Sequence, residues 1–290
     1  MFNGSIVALI TPFTDNEIDE KALTRLIHFH LDNGTDGIVP VGTTGEASTL
    51  SNREHKRVVD IVVKEVGRQV PVIAGAGSNN TAEAISYSRH AAESGADAAL
   101  HVMGYYNRPG QEGIYQHFNV LDAAAEVPII VYNVPPRTII DIQPETMARL
   151  AGLSHIVGVK DATCDLSRPL RERALIEGSF CFLSGEDPTA VAYNAHGGQG
   201  CISVTANVAP TLCAAMQQAC AEGRFDRALE IQMQLLPLHR ALFLEPSPAG
   251  VKYACSLLGL CEADCRLPIV SIADSTKRVI ESAMQSISLI

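Results

Sequence analysis

The sequence predicts an α/β protein, a (β/α)8 TIM barrel followed by a C-terminal three-helix appendage. Three observations lead there. Short β-branched apolar runs recur eight times, each apolar at consecutive rather than alternate positions, and the segments between them repeat with helical periodicity. Strands that are apolar on both faces and joined by helices belong in a parallel sheet covered by helices. Eight such units favour closure into a barrel over an open, doubly wound sheet. No low-complexity linker or charge block divides the chain, so the boundary falls where the eighth unit is exhausted: a barrel over residues 1–223 and a helical domain over 224–290.

The eight runs are SIVALI from Ser5, GIVPVG from Gly37, VPVIAGAG from Val70, AALHVM from Ala98, VPIIVYNVP from Val127, IVGVK from Ile156, FCFLSG from Phe180 and GCISVTA from Gly200. After the first run, EKALTRLIHFHLDNG sets Leu23, Ile27 and Leu31 on one helical face, and Asn33-Gly34 supplies a stop. Two further helix starts carry capping-box spacing, Ser51 with Glu54 and Asn80 with Glu83. Beyond the eighth unit, RFDRALEIQMQLLPLHRALF, PSPAGVKYACSLLGL and DSTKRVIESAMQSI read as three helices with no strand.

Composition narrows the function classes. With 47% hydrophobic and 19% charged residues the chain has the make-up of a globular protein with a large core. Its net charge of −10 opposes binding to a phosphate backbone, so no nucleic acid is expected as a partner. The apolar stretch from Ile6 to Ile10 is too short for a signal core or a membrane span, which gives the expectation of a cytoplasmic protein with no membrane association. Eight cysteines form no CxxC pair and are expected to be buried, reduced thiols. The nine histidines are scattered without ligand spacing, so no metal is expected. GAGSNN, from Gly75, lacks the third glycine of a dinucleotide fingerprint.

In such a barrel the chemistry sits at the carboxyl ends of the strands. Of six lysines, Lys21, Lys56, Lys64, Lys252 and Lys277 fall in predicted helices, where a solvated or snorkelling side chain is the expectation. Lys160 instead ends the sixth apolar run. Burial at a barrel mouth disfavours an ammonium and favours the amine that attacks carbonyls, so Lys160 is a candidate Schiff-base nucleophile. An ion pair with its neighbour Asp161 is the plainer alternative, although adjacent strand residues point to opposite faces. GTTGE, from Gly42 to Glu46, offers hydroxyls and backbone N–H groups suited to a small carboxylate or phosphate, or else is an ordinary tight turn. Tyr132 ends the fifth run and its phenol can move protons, unless it is only a mouth-lining aromatic. Arg137 is a fork suited to a second carboxylate.

Lysine on the sixth strand, the tyrosine of YNVP on the fifth and GTTGE after the second make the chain resemble the lysine-Schiff-base pyruvate aldolase superfamily, and within it the dihydrodipicolinate synthase family. The likeness runs nearly end to end, through GSIVALITPF, YYNRPGQEGIYQHF, ISVTANVAP and LLPLH. It implies that Lys160 forms an imine with pyruvate, and that the derived enamine attacks L-aspartate 4-semialdehyde and the adduct cyclises, without any cofactor, in the diaminopimelate and lysine pathway. Thr43 and Thr44 would grip the pyruvate carboxylate. Tyr132, Thr44 and Tyr106 match a proton-relay trio whose last tyrosine crosses a dimer interface, within a homotetramer built as a dimer of dimers. Arg137 would receive the semialdehyde carboxylate, near the backbones of Gly185 and Ile202. Ser48, His55, Asn79, Glu83 and Tyr105 match an inhibitory lysine site, whereas Ala47 and Asn52 depart from it. Other departures are Pro136, Asp161, Glu186 and EPSPAGVKYA, from Glu245. Two alternatives remain: a lyase for N-acetylneuraminate or 2-keto-3-deoxy sugar acids, from which Arg137 separates this chain, and a non-catalytic small-molecule-binding barrel.

Overall fold

The computed structural model describes residues 2–290. All eight predicted strands form, as β1 (Gly4–Ala8), β4 (Gly37–Val39), β5 (Ile73–Gly75), β6 (Ala98–Val102), β7 (Ile129–Asn133), β8 (Ile156–Asp161), β9 (Cys181–Ser184) and β10 (Gly200–Ser203). They pair in parallel in the order β4-β1-β10-β9-β8-β7-β6-β5. A parallel bridge between Ile38 and Val72 joins the two ends and closes the barrel. The one element pair the sequence did not announce is a small hairpin of β2 (Phe13–Thr14) and β3 (Glu17–Ile18), two residues per strand and too short to show a period.

Helices α1 (Glu20–Asp32), α2 (Asn52–Val66), α3 (Thr81–Ser94), α4 (Gln111–Ala123), α5 (Pro135–Thr138), α6 (Pro144–Ala151), α7 (Arg168–Arg173), α8 (Ala190–Ala195) and α9 (Pro210–Ala221) lie between and after the strands. Leu23 and Ile27 are buried on α1 as their spacing requires, and Asn33 caps its end. The Ser51–Glu54 capping box forms on α2, whose Ser51 side chain and Glu54 carboxylate satisfy each other's backbone N–H. The Asn80–Glu83 box does not. Asn80 caps α3 through the Ala82 N–H at 3.0 Å, but the Glu83 carboxylate turns to accept from the Ser78 hydroxyl at 2.6 Å. Ser78 stands between the two, its hydroxyl oxygen accepting the Asn80 N–H at 3.0 Å in the carboxylate's place.

Three packed regions divide the apolar side chains. Inside the barrel, Ile6, Ala8, Val39, Ile73, Leu100, Ile130, Leu183 and Ile202 meet. Outside, α4 and α6 cover β7 and β8 through Phe118, Leu121, Met147 and Leu150 against Val131 and Val159. The third region runs from α1 and α2 beneath the barrel's edge into α10 (Phe225–Ala241), α11 (Ala249–Leu257) and α12 (Asp274–Ser286), the helical C-terminal region expected. There α10 packs on α9 and α12, and α11 on α12.

Two further residue-level expectations fail. Lys252, on α11, is neither solvated nor snorkelling: it is fully buried and paired with Glu46. Helical periodicity alone placed it, and no local signal marks which cations find a buried partner. Among the cysteines, six are buried, but Cys164 is exposed on the loop after β8 and Cys265 is half-buried. No helix among the described residues is long and apolar enough to cross a membrane.

Candidate active site

Lys160 and Tyr132 are brought together by sheet register. They are Cα partners across the β7–β8 ladder, and both point into the barrel. The Lys160 ammonium sits 4.2 Å from the Tyr132 ring centroid, with only 5% of the residue exposed. Asp161 points the other way, as strand alternation demands, and its carboxylate accepts from the Thr163 N–H at 2.8 Å. Lys160 and Asp161 therefore make no ion pair. Gly185, at the end of β9, explains itself sterically: a Cβ there would lie 3.1 Å from Cγ and Cε of Lys160 and 3.0 Å from Cβ of Ala162. Its N–H bonds the Asp161 carbonyl at 2.6 Å, holding this bare stretch of backbone against the lysine stem. Ile202 lies within the barrel interior on β10.

The GTTGE segment is a constrained loop. Val41, just before it, and Glu46, its last residue, both hold positive φ, at 46° and 55°, a conformation that costs a non-glycine residue roughly 1–3 kcal/mol unless its surroundings enforce it. Enforcement is visible. The Thr11 hydroxyl donates to the Gly45 carbonyl at 2.7 Å, and the Glu46 and Ala47 N–H groups close turns on Thr43 and Gly42. Gly75 admits the loop because its missing Cβ would fall 2.2 Å from the Val41 carbonyl oxygen. Thr44 is buried, while Thr43 lines a cleft of about 340 Å³ together with Gly42, Tyr132, Val134, Thr138 and Arg137.

Arg137 stands on α5 directly after β7, exposed at that cleft. Pro136 is accommodated there, since the first turn of a helix leaves its N–H unpaired in any case. Glu186 is likewise employed, its carboxylate accepting from the Thr189 N–H and hydroxyl at 2.9 and 2.7 Å.

The same cleft continues past Tyr132 to Ser48, His55, Glu83 and Tyr105. Asn79 is tied to this group, its amide donating to the Tyr105 carbonyl at 3.3 Å. Burial holds the His55 imidazole at about 4, well below its usual range, so it is neutral near pH 7. Tyr87 belongs here too and was missed in the sequence, where it is one more aromatic on a helix. Its ring stacks on His55 at 3.9 Å and its hydroxyl donates to the Asn52 carboxamide. Burial first, and Glu83 second, push the Tyr87 and Tyr105 phenols up.

Tyr106 is the predicted residue that the single chain does not bring to Lys160. It is 92% exposed and holds φ at 69° on the loop between β6 and α4. Among the described residues no group of three or more His, Cys, Asp or Glu side chains is arranged to hold a metal ion.

A parallel eight-stranded barrel that raises one amine into its mouth, beside a phenol and a threonine loop, places this chain in the class of lysine-dependent aldolase barrels. Residues 1–287 match the model of the Dihydrodipicolinate synthetase family. A 4-hydroxy-tetrahydrodipicolinate synthase from Parvibaculum lavamentivorans is 56% identical over 290 residues, all of both chains. The structure of a chloride-inhibited dihydrodipicolinate synthase from Acinetobacter baumannii in complex with pyruvate superposes with a TM-score of 0.98 at 40% identity, covering all of both chains. A structure described as the first monomeric dihydrodipicolinate synthase variant gives 0.97 at 35% identity, over 100% of this chain and 98% of that one. The chain belongs to the dihydrodipicolinate synthetase family. It is an enzyme, and its reaction is the formation of 4-hydroxy-tetrahydrodipicolinate.

Proposed function

We propose that Lys160 carries this reaction as a Schiff-base nucleophile that joins pyruvate to L-aspartate 4-semialdehyde. The observation that carries the reading is the buried Lys160 amine facing the Tyr132 ring, with the Thr43–Thr44 loop and Arg137 opening on the cleft beside it. The lysine nitrogen adds to C2 of pyruvate, whose oxygen leaves as water to give the imine. Loss of a C3 proton makes the enamine, and C3 attacks the aldehyde carbon, whose oxygen takes up a proton and becomes the 4-hydroxyl. The semialdehyde's amino nitrogen then adds to the imine carbon, closing the ring and expelling the Lys160 amine. One water is released overall, and no redox change occurs.

Thr43 and Thr44 hold the pyruvate carboxylate through hydroxyls and backbone N–H groups. Arg137 receives the semialdehyde carboxylate on the exposed side of the cleft, a contact a sugar-acid lyase would not need. Gly185 and Ile202 contribute backbone at that pocket. Tyr132 and Thr44 pass protons, with Tyr106 supplied by a second copy of the chain. The left-handed backbone and near-complete exposure of Tyr106 support that role. The enzyme then works as a homotetramer, a dimer of dimers, in the cytoplasm and in the diaminopimelate and lysine pathway. Ser48, His55, Asn79, Glu83 and Tyr105 form a site for lysine as inhibitor, next to the catalytic cleft.

Borohydride reduction in the presence of pyruvate tests the proposal. It should fix one reduced pyruvyl group on Lys160, located by peptide mapping, and abolish turnover. Pyruvate-dependent labelling elsewhere, or none, sinks the reading.

A further inference from the structure

Glu46, the last residue of GTTGE, is a nearly fully buried carboxylate in a left-handed backbone conformation. One of its oxygens lies 2.5 Å from Nζ of Lys252, and the other accepts the Arg266 N–H at 2.9 Å. Lys252 comes from α11, more than two hundred residues downstream. Its ammonium is fully buried, donates to the Asp264 carbonyl at 2.6 Å and lies 4.1 Å over the Phe13 ring. The Arg266 guanidinium covers the same ring at 4.4 Å. It donates to the Thr49 and Asn16 carbonyls and forms an ion pair with Glu54. The C-terminal region thus grips both sides of the carboxylate-binding loop, at Glu46 and at the start of α2.

We infer that Lys252 is a positioning residue for substrate carboxylate recognition: by pairing with Glu46 it holds the Thr43–Thr44 peptides in their anion-binding conformation. Among the described residues the Glu46 oxygen that meets Lys252 has no other partner, and an uncompensated carboxylate at that depth would move toward water and unwind the loop. Lys252 touches no substrate. Its contribution reaches pyruvate only through Glu46 and the turn that Glu46 terminates. The inference deepens the proposed function and rests on its assignment of Thr43 and Thr44 to the pyruvate carboxylate.

The test compares two ketones, pyruvate and acetone, as substrates for borohydride trapping on Lys160 of the full-length protein. In Lys252→Met the pyruvate concentration that half-saturates trapping should rise about tenfold or more, the scale of loss expected when recognition groups are displaced by a fraction of an ångström. Trapping by acetone, which has no carboxylate, should stay at the wild-type level. A folded variant with unchanged pyruvate half-saturation overturns the inference, and so does an equal loss with both ketones, which marks a general structural effect. Should Lys252→Met fail to fold, the milder Lys252→Gln, which keeps a polar donor but no charge opposite the Glu46 carboxylate, carries the same two readouts. If the wild-type protein shows no pyruvate label on Lys160, the proposed function has failed instead.

Discussion

Gly185 decides how the Lys160 side chain lies. Lys160 needs an extended stem to place its amine beside Tyr132, and the space for that stem exists because the residue opposite has no Cβ. Gly185→Ala should therefore lower kcat by about tenfold, since a contact of 3.0–3.1 Å obliges the lysine stem to give way by a fraction of an ångström. The added methyl also costs about 1–3 kcal/mol of stability as overpacking. Steady-state rates alongside thermal melts check this, and an alanine variant with undiminished kcat would show that the lysine stem has room to spare. Lys160 was legible in the sequence because a charge ending an apolar strand needs a reason. The steric part of Gly185's role was not, because a glycine does not announce which atoms approach it.

Outside the barrel, α7 and the loop that precedes α6 trap charge between them. Arg168, at the start of α7, donates to the Ile142 carbonyl at 2.6 Å and pairs with Asp141 at 2.5 Å. One turn later Glu172 is fully buried, with Arg168 no nearer than 4.0 Å. Burial, with Asp161 adding to it, pushes the Glu172 carboxyl up from 4.5 to about 8, while Arg168 only partly offsets them. Between those two values the unfolded chain has released this proton and the folded chain still holds it. The stability tied to Glu172 is thus fully present below about 4.5 and is lost as pH rises through about 8. At about 1.4 kcal/mol per unit the loss amounts to a few kcal/mol. Glu172→Gln, neutral at every pH, should melt progressively higher than the wild type as pH increases from 5 to 9. A constant difference in Tm across that range would contradict the assignment. Capping shows the same dependence on neighbours: Ser51 and Glu54 formed their box, whereas Ser78 drew Glu83 out of its own.

At the scale of the whole molecule, Tyr106 points to assembly. If a second copy supplies its phenol, then Tyr106→Phe and Lys160→Ala should each be inactive alone, yet regain activity when unfolded and refolded together. Mixed dimers would hold one site that combines an intact Lys160 with an intact partner Tyr106. Absence of recovery in a verified mixed dimer would place the Tyr106 role within one chain. By itself the sequence determined the eight strands and the helical C-terminal region, and it marked Lys160, Tyr132, Thr43, Thr44 and Arg137 as candidates, because periodicity, strand ends and string likeness are local properties. Only the tertiary structure decided that Lys252 pairs with Glu46, that Gly185 clears Lys160 and that Tyr87 stacks on His55. Those contacts join residues far apart in the chain or on separate elements. Burial of a charge, and the partner that makes it tolerable, are set by where distant elements meet and not by the neighbours either residue has along the chain.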